Sequence, residues 1–172
     1  MQVPRLSCSN FTLLSPLRVF WEQQGIQTFA QKIQITRPQI ASQPAFDRHL
    51  LQLTDEYDAI HAINLLGTKE NEALLSEAYA ANIKAASNVS SAPAEHKVGL
   101  THFDFHQVAR AVGHENITRE LRRLPGVHQG IDEFGFCSVD VASNQTVTKQ
   151  KGVFRTNCLD WLVFWSSYSC IH

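Results

Sequence analysis

Apolar positions recur every second residue in some parts of this chain and every third or fourth in others. Residues 17–22 (Leu-Arg-Val-Phe-Trp-Glu) and 32–36 (Lys-Ile-Gln-Ile-Thr) read as strands; the second alternates polar and apolar, and Pro38 ends it. Gln23-Gln24-Gly25 reads as part of the connection between them. Residues 43–57 read as a helix, with Phe46, Leu50, Leu53 and Tyr57 on one stripe and Pro44 placed in the first turn, where its missing N–H costs nothing. A mostly apolar strand follows from Ile60 to Leu66. Gly67 turns the chain, and Thr68 is placed to cap a helix whose first turn carries Glu70 and Glu72 and whose buried face is Leu75, Tyr79 and Ile83. Ala86 to Lys97, rich in Ser, Ala and Asn and containing Pro93, reads as a loop. Val98 to Phe105 reads as a strand, 106–112 and 115–124 as helices, 136–141 as a strand, and Thr146 to Asn157 as holding a last strand centred on Val153 and Phe154.

Helices thus alternate with apolar strands. The fold class expected is α/β, with a mixed or parallel sheet flanked by helices, and ligands in such sheets sit beyond the carboxyl ends of the strands.

Composition narrows the function classes. The chain has 172 residues, is 44% hydrophobic and 18% charged, and is long enough for one domain with a real core. Its formal net charge is -1, so no global charge draws it to nucleic acid, and no nucleic-acid partner is expected. The longest apolar run, Trp161 to Trp165, falls far short of the ~18 residues of a membrane helix. Met1 to Leu14 is a poor secretory signal, so the expected location is cytoplasmic, free or peripheral at a membrane. Cys8, Cys137, Cys158 and Cys170 lie far apart, which argues against a zinc ribbon or a disulfide scaffold.

The chemistry centres on Cys158. Gly152-Val-Phe-Arg-Thr-Asn-Cys158-Leu-Asp160 runs off a strand into a polar segment. Cleaving a phosphate ester through cysteine needs a thiolate at the base of a tight loop whose backbone N–H groups cradle the phosphate oxygens. A helix starting after the loop lowers the thiol pKa, and an arginine six positions beyond the cysteine forks onto two phosphate oxygens. Taken alone, Cys158 would be a buried structural thiol.

Arg155-Thr156-Asn157-Cys158-Leu159-Asp160 resembles the opening of the signature loop of the Sac-domain phosphoinositide phosphatases, which continues Cys-Leu-Asp-Arg-Thr-Asn. Four further segments match that family in order and spacing: Val19-Phe20-Trp21-Glu22-Gln23, Pro44 to His49, Ile63 to Glu70, and Phe103-Asp104-Phe105-His106. The likeness is to synaptojanin-like sequences of fungal type. It divides the chain into an unmatched segment 1–16, a partial Sac catalytic domain at 17–160, and an unmatched tail 161–172. The resemblance implies removal of phosphate from phosphatidylinositol phosphates with no cofactor and no metal. It makes Cys158 the nucleophile and Asp160 the residue serving the leaving-group proton. Arg155 and Asn157 become opening residues of the loop that bind substrate.

The pattern breaks after Asp160. Trp161 stands where the family has its second cysteine, and Phe164 stands six positions after Cys158, where the arginine belongs. The chain therefore reads as a truncated phosphatase, catalytically inactive for want of that arginine. The alternatives are a pseudophosphatase that binds lipid or protein without hydrolysis, and a non-functional product whose half-covered sheet exposes apolar surface.

Two other clusters carry a blander reading beside a functional one. His102, Asp104 and His106 recur at period two, so on a strand they would share a face and could hold a metal; the plainer reading is that they end a strand and orient loops. Arg119, Arg122 and Arg123, with Arg110 nearby, could face anionic lipid or form the solvated side of an amphipathic helix.

Overall fold

The computed structural model describes residues 6–9, 12–14, 19–24, 32–89, 97–143 and 145–159. In chain order the elements are β1 (Leu6–Ser9), β2 (Thr12–Leu14), β3 (Trp21–Gln24), β4 (Lys32–Ile35), α1 (Gln39–Glu56), β5 (Ala59–Asn64), α2 (Glu70–Val89) and β6 (Lys97–His102). Then come α3 (Phe105–Val112), a 3₁₀ turn at His114–Asn116, α4 (Ile117–Arg122), α5 (Pro125–Phe134), β7 (Cys137–Asp140), β8 (Gln145–Thr148) and β9 (Gly152–Asn157).

Four strands form the central sheet in the order β2-β9-β5-β6, every neighbouring pair parallel. The α/β class expected from the alternation of helices and apolar strands is present. Strand β5 shows why the sheet needs cover on both sides: Ile60 and Ala62 face one apolar cluster while Ile63 faces another. The first cluster is closed by Phe46, Leu50 and Leu53 of α1 and Leu75, Tyr79 and Ile83 of α2, the two stripes legible in the sequence. The second is closed by Phe105 of α3, Ile117 and Leu121 of α4, and Val127 of α5. Helices thus lie on both faces of the four-stranded sheet. Two smaller units flank it, an antiparallel sheet β1-β7-β8 and the hairpin β3-β4. Ile33 of the hairpin is buried in the first cluster.

Several elements depart from the sequence reading. Helix α1 begins at Gln39, so Pro44 lies in its second turn rather than its first. The bond Pro44 fails to donate would go to the carbonyl of Ile40, a residue 82% exposed, where water can take its place. Helix α2 continues to Val89, into the stretch read as a loop. The stretch Thr146 to Asn157 holds the expected strand around Val153 and Phe154, β9, and also most of a further strand, β8, that belongs to a different sheet.

Helix α5 was absent from the sequence reading. Pro125 starts it, and Gly126, Gly130 and Phe134 follow at intervals of four on the side toward the sheet. The glycines let backbone come close. A Cβ on Gly126 would lie 2.5 Å from His61 Cε1, and one on Gly130 2.7 Å from Phe154 Cζ. His61 sits below α5 with its Nε2 2.7 Å from Thr101 Oγ1, and burial pushes its imidazole pKa down.

Gly152, at the start of β9, is the tightest of these approaches. A Cβ there would meet the Phe134 ring at 2.2–2.6 Å, and that ring is itself packed on Phe154 with centroids 4.9 Å apart. Gly152→Ala is therefore expected to cost about 1–3 kcal/mol through overpacking. Chemical denaturation measures it, and a loss under ~0.5 kcal/mol, the range of an ordinary surface substitution, would refute it.

Candidate functional site

In a parallel sheet every strand delivers its chain to the same edge. Here the register brings Asn64, the last residue of β5, opposite both Asn157 at the end of β9 and His102 at the end of β6. Cys158 follows Asn157 directly, so the candidate nucleophile stands at the carboxyl edge of the sheet, where α/β proteins place their ligands. It is half-buried and packs against the α3–α5 side of the core.

The two loops beside Cys158 are tied together. Asp104 Oδ2 accepts from Thr68 N at 2.9 Å and from Thr68 Oγ1 at 3.0 Å, linking the loop after β6 to the loop after β5. Its other oxygen accepts from Gln107 N at 2.9 Å and so caps α3. Gly67 N donates to Glu72 Oε2 at 2.6 Å. Backbone bonds close the edge: Leu65 N donates to Asn157 O at 3.0 Å, and Phe103 N to Asn64 O at 2.8 Å.

Partial burial pushes the Asp104 pKa up, but the hydrogen bonds from Gln107 and Thr68 and the nearby His106 outweigh it, and the net shift is downward from 3.8. The folded value lies below the unfolded one, so the unfolded chain takes up the proton first. The contribution is complete above the unfolded value and is lost as pH falls through the folded one. Asp104→Ala is expected to cost about 1 kcal/mol, the worth of a helix cap, at neutral pH. It should also flatten the acid limb of melting temperature against pH. An unchanged acid limb in the variant would remove Asp104 from this role.

The structure treats the sequence-predicted residues differently. Cys158 and Asn157 lie together at the edge, while Asp160 lies outside the described residues. Arg155 lies deeper on the face it shares with Asn157: its guanidinium is fully buried between α1 and α2, donating from Nε to His49 Nε2 at 3.2 Å and from an Nη to the Tyr79 hydroxyl. The same guanidinium lies 5.1 Å from the centroid of the Tyr79 ring. Burial pushes the Tyr79 phenol pKa up, and Arg155 partly offsets this, so the hydroxyl is neutral and accepts.

His102, Asp104 and His106 do not share a strand face. His102 ends β6, Asp104 caps α3, and His106 lies within α3, because the strand stops before Phe103. Of the basic run, Arg119 and Arg123 pair with Glu120 at 3.3 and 2.9 Å, which neutralises part of it.

Sequence reading missed the buried polar partners of Asn157 at the strand ends. Asn157 Nδ2 donates to Asn64 Oδ1, and Asn64 Nδ2 donates to Ser76 Oγ of α2. The signal available was Asn64 itself, a polar residue inside the apolar run Ile60 to Leu66.

The family model for the SacI homology domain matches residues 17–110. The chain is 39% identical over 144 residues to the inositol-1,4,5-trisphosphate 5-phosphatase 1 of Schizosaccharomyces pombe, covering 84% of this chain and 12% of that protein. It is 35% identical over 156 residues to the polyphosphatidylinositol phosphatase INP53 of Saccharomyces cerevisiae, covering 90% and 14%. Against synaptojanin-1 of Rattus norvegicus it is 36% identical over 144 residues, covering 84% and 8%. The chain thus spans between 8% and 14% of the length of these relatives.

Proposed function

This chain belongs to the SacI homology family of phosphoinositide phosphatases, and from that premise we propose that it is the part of such an enzyme that presents a cysteine nucleophile to phosphatidylinositol phosphates. The observation that carries the reading is the placement of Cys158 directly beyond β9, in line with the ends of β5 and β6. The amino end of α2, a helix of 20 residues, lies at the same edge and favours an anion there. Cys158 attacks the phosphorus of a ring phosphate monoester, the inositol hydroxyl leaves with a proton from Asp160, and water then releases phosphate from the thiol. Asn157 holds the start of the loop. Arg155 supports the loop from below, through α1 and α2, rather than by touching substrate. Neither step calls for a cofactor or a metal.

In the chain as written, Phe164 occupies the arginine position and hydrolysis is at background. Its action is cytoplasmic, with peripheral contact at membranes carrying the substrate. Among the described residues no helix is long and apolar enough to cross a membrane.

A second reading, a pseudophosphatase that binds headgroups without turnover, is favoured by the cover on both faces of the sheet, which supports a folded binder. Phosphate release from phosphatidylinositol phosphate vesicles, measured beside Cys158→Ser, separates the cases. Equal background rates with vesicle binding retained support the binder. A wild-type rate clearly above the Cys158→Ser rate shows a working enzyme and refutes the need for the arginine.

A further inference from the structure

The polar groups at the ends of β5, β6 and β9 form a connected chain that the role of Cys158 leaves unexplained. Asn64 Oδ1 faces two donors, Asn157 Nδ2 and, at 3.5 Å, Leu66 N. Its Nδ2 faces two acceptors, Ser76 Oγ and, at 3.1 Å, His102 Nδ1. Ser76 Oγ is itself 3.4 Å from His102 Nδ1. The Asn64 amide therefore has one orientation that satisfies all its neighbours. Asn64 and Asn157 are fully buried and Ser76 nearly so, whereas His102 is exposed. The chain runs from solvent inward and ends one residue before Cys158.

Its inner end is unusual. Among the described residues Asn157 Oδ1 has no hydrogen-bond partner, although Asn157 is fully buried. A buried acceptor without a partner is costly, and such a group persists where a site uses it. A leucine at position 157 would be free of that cost. What holds an amide there is its donor bond to Asn64.

We infer that Asn64 is a positioning residue for Cys158, acting through Asn157, with Ser76 and His102 fixing Asn64 in turn. The inference rests on Cys158 being the nucleophile. The Asn64–Asn157 bond sets the side-chain rotamer of Asn157, and Leu65 N holds the Asn157 carbonyl at 3.0 Å, so the peptide that leads into Cys158 is held at two points. A thiol held in place at the edge where helix α2 begins ionises more readily than one on a loose chain, because the positive end of a helix favours the thiolate.

The test is the pH profile of Cys158 alkylation by iodoacetamide in the full chain, resolved residue by residue by mass spectrometry. Asn64→Leu keeps the bulk and removes all four side-chain contacts. Its midpoint is expected to rise by about one pH unit, the ordinary spread that environment gives a side-chain pKa. His102→Leu should shift it the same way by less. His102→Gln, which returns an acceptor oxygen, should match the wild type. Val98→Ala, in β6 opposite Ile60 and packed on the α1–α2 core away from the strand ends, is the control for loosened packing and should leave the midpoint in place. A wild-type midpoint in Asn64→Leu overturns the inference, as does an equal shift in Val98→Ala. If Asn64→Leu fails to fold, the His102 pair decides, and identical midpoints for Leu and Gln overturn it. Protection of Cys158 by inorganic phosphate tests the nucleophile separately. No protection, with the midpoint still moved by Asn64→Leu, removes the phosphatase reading and leaves the positioning intact.

Discussion

A chain carrying Trp161→Cys, Val163→Asp and Phe164→Arg is expected to release phosphate from phosphatidylinositol phosphate vesicles at least ~10³-fold faster than the unaltered chain. The physical reason is charge. In phosphoryl transfer the three equatorial oxygens carry the transition-state charge, and a guanidinium forks onto two of them at once. Such an arginine is worth ~10³–10⁵ in rate, or roughly 4–7 kcal/mol of barrier. Phe164 is neutral and offers no donor, so no fraction of that term survives in the sequence as written. The accompanying Cys and Asp restore the family's loop pattern from Cys158 up to the arginine, while Trp165 and Ser166 still stand where it continues Thr-Asn. The gain must vanish when Cys158→Ser is added, since the nucleophile is then a poor one. A triple variant that melts normally yet releases phosphate no faster than the unaltered chain would overturn this expectation.

Arg155→Ala is expected to cost about 3–5 kcal/mol, a large fraction of the 5–15 kcal/mol that holds a domain of this size. The substitution empties the space between α1 and α2 and strips the donors from His49 Nε2 and the buried Tyr79 hydroxyl. Both effects act in the same direction: a cavity the size of a guanidinium chain, and a buried acceptor, the Tyr79 hydroxyl, left without its donor. Arg155→Met separates them. It refills most of the volume and removes the buried charge, so the loss should fall well below that of Ala. Denaturant titration of the two variants reads both numbers, and equal losses would show that the polar contacts, not the packing, dominate. A near-neutral Arg155→Ala would sink the structural role and return the guanidinium to the substrate.

These two results bear on neighbouring residues with opposite duties, and the sequence alone does not separate them. Arg155 and Asn157 were both read as opening residues of the loop. Alternation along β9 sends both toward the α1–α2 side, but at different depths: Arg155 beneath the middle of α2 at Tyr79, Asn157 at the edge beside Ser76. Depth along a strand depends on which residues of other strands lie opposite, and register between segments some 90 residues apart is not a local property.

What was legible came from local periodicity. Phe46, Leu50 and Leu53, then Leu75, Tyr79 and Ile83, repeat at helical spacing, and those residues are buried as expected. The apolar run at β5 and the strand around Val153 were equally plain, because a strand buried on both faces has little room for polar residues. Helix α5 was hidden by its own function. Gly126 and Gly130 weaken a helix by roughly 1 kcal/mol each, so local propensity argues against one. The tertiary structure needs them because a Cβ at either site would strike His61 or Phe154. The strands β1 and β2 were hidden for the converse reason. Residues 6–9 and 12–14 have no decisive pattern of their own, and they become strands where β7 and β9 offer an open edge.

By itself, then, the sequence determined the α/β class, the two helical stripes and the family likeness, and offered Cys158 as the candidate nucleophile, each carried by short local segments. Only the tertiary structure decided that Asn64, Ser76, His102 and Asn157 meet at the strand ends one residue before Cys158, that Asp104 ties two loops instead of joining a metal-binding face, and that Arg155 points inward. Each of these depends on the parallel register of β5, β6 and β9, and register is set by the packing of all three strands between two helical layers.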